Sequence, residues 1–184
     1  MNPHNGARKY LVTGASGYVG CRLVRAFVDD KEDVRILVRD KNKIMGQPWA
    51  PLVDICEGSA ENFADLQMAL EGIHTAFYLL HSINLGPHFD EIESEMARNF
   101  AKAAELAGVS QIIYLGGIAN DVNISKHLAS RAMTGTSLAT TSVAVLELRA
   151  GIIIGSGSAS FEMLRHLTHR LPIMTTPKWV MNKT

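Results

Sequence analysis

Three glycines, each separated from the next by two residues, lie between an apolar segment and an amphipathic one near the start of the chain. They are Gly14, Gly17 and Gly20 in VTGASGYVGCRLV, residues 12–24. The first allows a sharp turn out of a strand, the second lets a pyrophosphate approach the backbone, and the third lets a helix lie close on a sheet. That helix would offer unpaired N–H groups and the positive end of its dipole to the phosphates. The motif therefore predicts dinucleotide binding, against the alternative of a glycine-rich turn kept only for packing.

The residue after the second apolar segment distinguishes between the two nicotinamide dinucleotides. An acidic residue there binds the ribose hydroxyls, whereas an arginine accommodates a 2′-phosphate. The segment VRILV is followed by Arg39, nineteen residues after Gly20. We therefore expect NADP(H) in preference to NAD(H). The alternative is a solvated arginine with Asp40 as its ion-pair neighbour.

Short apolar segments alternate with helical ones along the chain and must position these residues. Segments that are apolar on both faces belong in a parallel sheet covered by helices. Right-handed crossovers then predict an α/β fold, a doubly wound three-layer αβα sheet with strand order 3-2-1-4-5-6. Residues 41–51 contain both Gly and Pro, which predicts a connection without a full helix. The predicted strands lie within residues 9–14, 33–40, 52–58, 74–80, 111–117 and 142–155.

Composition and charge exclude several classes of protein. The chain has 18 basic and 18 acidic side chains, and no long run of like charge favours capture of nucleic acid or of an anionic membrane. Cys21 and Cys56 lack the spacing of a zinc site or of a disulfide-exchange motif. No stretch approaches the roughly 20 apolar residues of a membrane span, and the N-terminus has no apolar signal segment. We therefore expect a single cytoplasmic domain, residues 1–184.

Five segments taken together resemble a known family. They are VTGASGYVG, VRILVRD, ALEGIHTAFYLLHS, NFAKAAELAGVSQIIYLGG and ELRAGIIIGSGSASFEMLRHL. The chain resembles the atypical short-chain dehydrogenase/reductases, in the branch of NmrA-like and YbjT-like NAD(P)-binding proteins related to NAD-dependent epimerases and dehydratases. The resemblance covers almost the whole chain and implies an NAD(P)-binding Rossmann fold. It also implies that residues 151–184 begin a substrate-binding region that is truncated here.

The resemblance further implies where a cofactor binds. The pyrophosphate would lie on the glycine turn, Arg39 would meet the adenosine phosphate, and the ribose next to the nicotinamide would lie at the end of the fourth strand. Residues 115–117 and 151–157 would border the substrate cleft. The expected cofactor-binding residues are Thr13, Gly14, Ala15, Ser16, Gly17, Tyr18, Val19, Gly20, Arg39, Ser59, Leu79, Leu80, His81, Ser82, Leu115, Gly116 and Gly117.

The chain departs from the catalytic pattern of that family. Competent relatives carry a Tyr-x-x-x-Lys pair and a Ser or Thr after the fifth strand. Here SKHLASRAMTG places His127 and Arg131 at the positions of the pair, and the fifth strand ends in glycines. Imidazole exchanges a proton near neutral pH, and an arginine at i+4 on the same helix face could hold a ribose or a substrate anion. His127 and Arg131 are therefore the candidate catalytic residues, with an ordinary surface histidine as the alternative.

Two other polar groups bear on ligand binding. Ser59 stands where relatives commonly have an aspartate that accepts the adenine amino group, and a hydroxyl can still accept, though without charge. Glu162, His166 and His169 lie at helical spacings of four and three residues. A metal site normally needs a further ligand from elsewhere and a supporting shell, so we predict helix-surface residues and no metal.

The expected function is that of an NAD(P)(H)-binding oxidoreductase acting on a carbonyl or quinone-like small molecule. The hydride would pass at the carboxyl ends of the fourth and fifth strands. The alternative is a catalytically silent dinucleotide-sensing regulatory or assembly protein of the NmrA type, favoured by the missing Tyr, Lys and Ser. The expected partners are a dinucleotide and a small-molecule ligand, with a homo-oligomer as a further expectation.

Overall fold

The computed structural model describes residues 8–80, 89–118, 126–151 and 153–171, apart from three side chains at positions 127, 159 and 160. The chain divides into two units, Met1–Ala150 and Gly151–Thr184. Of the described residues, those of the larger unit form the sheet and four α-helices, and those of the second form one α-helix.

Six parallel strands form the sheet in the order β3-β2-β1-β4-β5-β6. The predicted strand order is therefore confirmed. From β1 the strand order runs to one side as far as β3, and from β4 it runs to the other side as far as β6. The junction between β1 and β4 is therefore the switch point, where ligands bind in open α/β sheets. The strands are β1 Lys9–Thr13, β2 Asp33–Val38, β3 Asp54–Glu57, β4 Thr75–Tyr78, β5 Gln111–Gly117 and β6 Ala144–Ala150.

Helices connect the strands as the apolar spacing predicts. The segment predicted to lack a full helix, residues 41–51, holds one short 3₁₀ turn, Lys41–Lys43, and most of a second, Ala50–Leu52, which confirms that prediction. Gly108 has a φ of 71° after the third helix, the left-handed conformation expected of a helix end. The helices are α1 Tyr18–Asp29, α2 Phe63–Leu70, α3 Phe89–Leu106, α4 Lys126–Leu138 and, in the second unit, α5 Ala159–Arg170.

The two faces of the sheet bury separate apolar clusters. Neighbouring residues of β1 belong to different clusters, because side chains alternate across a strand. Val12 packs with Val24 of α1, whereas Leu11 belongs to the cluster that contains Phe100 of α3. At one end of the sheet, β6 exposes two leucines, Leu146 and Leu148, at 45% and 50%.

An arginine on β2 fixes the end of α2. The Arg35 guanidinium donates to the backbone oxygens of Met68 and Ala69 at 3.1 Å each and of Glu71 at 2.9 Å. These contacts satisfy carbonyls that a helix C-terminus leaves without partners. Asp54 accepts from Arg35 at 2.7 Å, and hydrogen bonds from Lys9 and then Arg35 lower the pKa of Asp54.

Candidate dinucleotide-binding site

The glycine turn passes directly against the end of β4. Gly14 has a φ of 68°, in the left-handed region that favours glycine. A Cβ added at Gly14 would lie 2.7 Å from the backbone oxygen of Leu79. Both backbone conformation and space therefore require a glycine at this position.

The other two glycines allow α1 to begin immediately after the turn. The Gly17 N–H donates to the Gly14 oxygen at 2.9 Å, and the Cys21 N–H donates to the Gly17 oxygen at 3.0 Å. A Cβ on Gly20 would collide with that same Gly14 oxygen. The third glycine thus packs against the turn, where the sequence predicted close packing on the sheet.

The start of α1 has the features of a phosphate site. Gly17 is exposed, and a Cβ built on it would approach only the Gly14 oxygen, at 3.2 Å. Among the described residues, no side chain caps this end of α1, and its first turn has no acidic residue. The backbone N–H groups and the positive end of the dipole can therefore meet an anion, as a pyrophosphate requires.

The side chains of the turn divide into buried and accessible ones. The Thr13 hydroxyl is buried, donates to the Phe77 oxygen at 3.0 Å and accepts from the Leu79 N–H at 3.0 Å. It therefore ties the end of β1 to the end of β4. Ala15 is also fully buried, whereas Ser16 is exposed and Tyr18 and Val19 are half-buried. Any ligand contact of Thr13 or Ala15 would be made by the backbone.

The sequence motif gave no sign of a cation beside the turn. The Arg22 guanidinium carbon lies 3.7 Å from the centre of the Tyr18 ring, within the range of a cation–π contact. The sequence could have predicted this contact, because Tyr18 and Arg22 are four residues apart and therefore lie on the same face of α1.

Arg39 follows β2 and is exposed. The Asp40 carboxylate accepts from the Asn42 N–H at 2.9 Å and so caps the 3₁₀ turn. Lys41 pairs with Glu57 at 3.4 Å. Within the described part of the chain, the Arg39 guanidinium forms no ion pair with Asp40 or another carboxylate, so it is available to a phosphate.

A carboxylate that the sequence analysis missed lies behind Ser59. The Ser59 N–H donates to Asp65 Oδ2 at 2.8 Å, and the Ser59 hydroxyl accepts from the Glu61 N–H at 3.2 Å. A Cβ on Gly58 would lie 2.9 Å from the Asp65 carboxylate. Asp65 is in the first turn of α2, and only the packing of this turn brings it back to Ser59.

The end of β5 brings together two groups of predicted site residues. A Cβ on Gly117 would lie 3.4 Å from Cδ of Arg131 and 2.7 Å from Cδ2 of Leu128, both on α4. Arg131 is half-buried, and no described residue offers its guanidinium a hydrogen-bond acceptor. Gly117, a predicted cofactor-binding residue, therefore lies beside Arg131, a candidate catalytic residue.

A buried tyrosine holds α4 at this place. The Tyr114 hydroxyl donates to the backbone oxygen of Arg131 at 3.0 Å. Burial raises the pKa of Tyr114 to about 12, so the hydroxyl keeps its proton at neutral pH. Leu115 is half-buried and Gly116 is buried.

Three predicted site residues lie wholly or partly outside the described part of the chain. His127 lies in the first turn of α4, and nothing is described of its side chain. His81 and Ser82 lie outside the described residues, whereas Leu79 and Leu80 directly after β4 are half-buried. The described part of the candidate site consists of the backbone of the glycine turn, Arg39 and the contact between β5 and α4.

In the second unit, Ser158 caps α5 by accepting from the Phe161 N–H at 3.3 Å. Glu162 accepts from the Gly157 N–H at 3.1 Å and from Arg165 at 2.8 Å. These hydrogen bonds, the one from Gly157 first, lower the pKa of Glu162. Across the described residues, no group of three His, Cys, Asp or Glu side chains has the arrangement of a metal site.

Comparisons with known proteins agree with this geometry. A family model described as NAD(P)H-binding matches residues 14–150. Ceramide reductase of Caulobacter vibrioides is 27% identical over 168 residues, which cover 89% of this chain and 52% of that protein. The chain thus spans about half the length of this curated relative.

Solved structures show the same fold at lower identity. Triphenylmethane reductase of Citrobacter sp. has a TM-score of 0.69 at 23% identity, with 88% of this chain and 54% of that one covered. The same reductase complexed with NADP(H) has a TM-score of 0.67 at 21% identity, over 78% of this chain and 49% of that one.

No helix in the described part of the chain is long and apolar enough to cross a membrane. The family match covers the glycine turn, the Arg39 strand and the β5–α4 contact in one continuous range. The chain therefore belongs to the NAD(P)H-binding family.

Proposed function

We propose that this protein is an NADP(H)-dependent oxidoreductase that reduces a carbonyl or quinone-like small molecule. The observation that carries the proposal is the open glycine turn after β1 together with the contact of Arg131 with Gly117 at the end of β5, on the two sides of β4. The names of the ceramide reductase and the triphenylmethane reductase describe those proteins, and they support a reductase activity here.

In this proposal one group of residues binds the cofactor and another takes part in the reaction. The backbone of residues 14–20 would hold the pyrophosphate, and Arg39 would bind the 2′-phosphate that distinguishes NADPH from NADH. When bound, NADPH supplies a hydride to the carbonyl carbon, while a proton reaches the carbonyl oxygen, giving an alcohol and NADP⁺. Arg131 would orient the ribose or the substrate, and His127 would hold the proton that the oxygen receives.

Nucleotide preference tests the binding half of this proposal. Calorimetric titration with NADPH and NADH should give tighter binding of NADPH, and Arg39→Glu should lower the NADPH-to-NADH affinity ratio at least tenfold. The matched control is Arg25→Glu, because Arg25 is an exposed residue of α1 whose ion pair, as far as the described residues go, is with Asp29 of the same helix. An unchanged ratio in Arg39→Glu would contradict the role of Arg39, and failure of both nucleotides to bind would contradict the whole proposal.

A regulatory function is the second candidate, favoured by one observation. Gly116 and Gly117 occupy the end of β5, where competent relatives carry a Ser or Thr. In that case NADPH would bind and shift a conformation without being consumed.

Turnover distinguishes between the two candidates. We expect NADPH consumption with a panel of quinones and aldehydes, and a loss of at least tenfold in kcat for His127→Ala. His166→Ala, an exposed histidine of α5, is the control and should match wild type. Binding without consumption across the panel would favour the regulatory candidate, and an unaltered kcat in His127→Ala would remove the proton role of that residue.

A further inference from the structure

Two glycines on neighbouring elements leave room for a single carboxylate. A Cβ on Gly116 of β5 would collide with Oε1 of Glu147, a residue of β6. A Cβ on Gly135 of α4 would lie 3.4 Å from both Cδ and Oε2 of Glu147. Larger residues at either position would push this carboxylate away, so the packing of β5, β6 and α4 fixes where Glu147 lies.

This partly exposed carboxylate pairs with an exposed arginine at the carboxyl end of β6. Glu147 Oε2 accepts from Arg149 at 3.0 Å. The two residues are two apart on the strand, so their side chains share the face that α4 covers. In the parallel register Glu147 pairs with Tyr114 and Arg149 with Gly116. Arg149 therefore lies two residues closer than Glu147 to the edge of the sheet where ligands bind.

Arg131 reaches the same level from the helix side. Its Cδ and Nη1 lie 3.4 Å and 3.8 Å from the position of a Cβ on Gly117, the neighbour of Gly116. Two guanidinium groups therefore flank the last two residues of β5. Glu147 compensates only one of these positive charges, since its carboxylate pairs with Arg149 and no described carboxylate pairs with Arg131.

We infer that Arg131 and Arg149 form a binding site for an anionic group of the substrate, a carboxylate or a phosphate monoester. A planar guanidinium donates two parallel hydrogen bonds to either group, and Glu147 holds one of the two guanidiniums in place beforehand. The inference rests on the proposed reductase function and narrows it to carbonyl substrates that carry a negative charge.

Matched probes test this inference with and without turnover. The first readout is the kcat/KM ratio of 4-carboxybenzaldehyde to its neutral methyl ester, with 4-formylphenyl phosphate as the phosphate arm. The second is calorimetric binding of benzene-1,4-dicarboxylate and of its neutral dimethyl ester to the protein without nucleotide. We expect the anionic probe to be favoured at least tenfold in each readout, and Arg149→Met to lower that preference at least tenfold.

Two further variants keep the test decisive. Arg149→Lys retains the charge but loses the forked donor geometry, so an intermediate preference is expected. Should Arg149→Met fail to fold, Arg131→Met provides the same comparison. Arg25→Met, which removes an exposed arginine from α1, should retain the full preference.

Equal treatment of charged and neutral probes in both readouts, the phosphate arm included, or an undiminished preference in the folded Arg149 and Arg131 variants, would overturn the inference. Its failure can be distinguished from failure of the proposed function, because the titration of the dicarboxylate requires neither NADPH nor turnover. A protein that binds the dicarboxylate but not NADPH would keep the anion site and lose the reductase proposal. If only the phosphate arm is favoured, the site selects phosphate monoesters over carboxylates.

Discussion

The glycine turn after β1 and the arginine site at the end of β5 lie on the two sides of β4 and are built in different ways. The turn offers backbone N–H groups, and its buried hydroxyl on Thr13 is fully used in joining β1 to β4. The β5 site offers side chains from β6 and α4, placed against glycines that leave room for them. A backbone site depends on a few local residues, whereas a side-chain site depends on how separate elements pack.

Gly14→Ala is expected to have the largest effect and tests whether the turn is as intolerant as its geometry indicates. The left-handed conformation costs an L-residue roughly 1–2 kcal/mol, and the contact with the Leu79 oxygen adds overpacking of about 1–3 kcal/mol. We expect the free energy of unfolding in denaturant titrations to fall by about 3 kcal/mol. Gly46→Ala is the control, because a Cβ there would have no atom of the described residues within 4 Å apart from its chain neighbours. Equal effects of the two substitutions would contradict the strained turn.

Thr13→Val should have the next largest effect, because it leaves the Leu79 N–H without its buried acceptor. A buried unsatisfied donor costs about 1–3 kcal/mol, so the midpoint of urea unfolding should fall while the slope stays unchanged. Thr136→Val, which removes an exposed hydroxyl bonded within α4, should cost less than about 1 kcal/mol. Similar losses in the two variants would show that the Thr13 hydroxyl does not join the two strand ends.

Tyr114→Phe is expected to have the smallest effect at neutral pH and a distinct effect at high pH. Removal of the hydrogen bond to Arg131 should cost about 1 kcal/mol. Burial raises the pKa of Tyr114 to about 12 in the folded chain, against about 10 in the unfolded chain. The unfolded state therefore loses this proton first, and wild-type stability should fall between pH 10 and pH 12 by at most about 1.4 kcal/mol per pH unit.

The matched measurement is the slope of unfolding free energy against pH for wild type and Tyr114→Phe. The variant should show a shallower decline over that window, because one raised tyrosine is absent. Tyr78, whose pKa burial also raises, remains in both proteins and contributes to both slopes. Parallel slopes would indicate that Tyr114 is not buried as described.

The contrast between the two regions explains what could be predicted from the sequence. The strand order and the glycine turn depend on apolar periodicity and on local spacing, and both were predicted. The contact between Gly117 and Arg131 could be predicted only in part. The spacing of His127 and Arg131 on one helix face follows from the sequence, but the residue of β5 that Arg131 contacts does not. Asp65, Glu147 and Arg149 were missed because their contacts arise from turns and strand registers that no local pattern encodes.

Some predictions stay predictions. The assignment of residues 1–184 to a single domain, the roles of His81, Ser82 and His127, a cytoplasmic location and a homo-oligomer each need a measurement of their own. The predicted preference for NADP(H) depends on Arg39, and the neighbouring Asp40 carboxylate is engaged by the Asn42 N–H.

The terminal position of β6 in the sheet has a practical consequence. A strand at the margin of a sheet presents a row of backbone donors and acceptors that another chain can extend. In this protein the strand also exposes Leu146 and Leu148 to solvent, so an apolar surface lies beside the backbone donors and acceptors of that edge. Concentrated samples of the 184-residue polypeptide should consequently precipitate or form strand-exchanged aggregates, and a lysine at position 146 or 148 is the simplest means of keeping them dispersed.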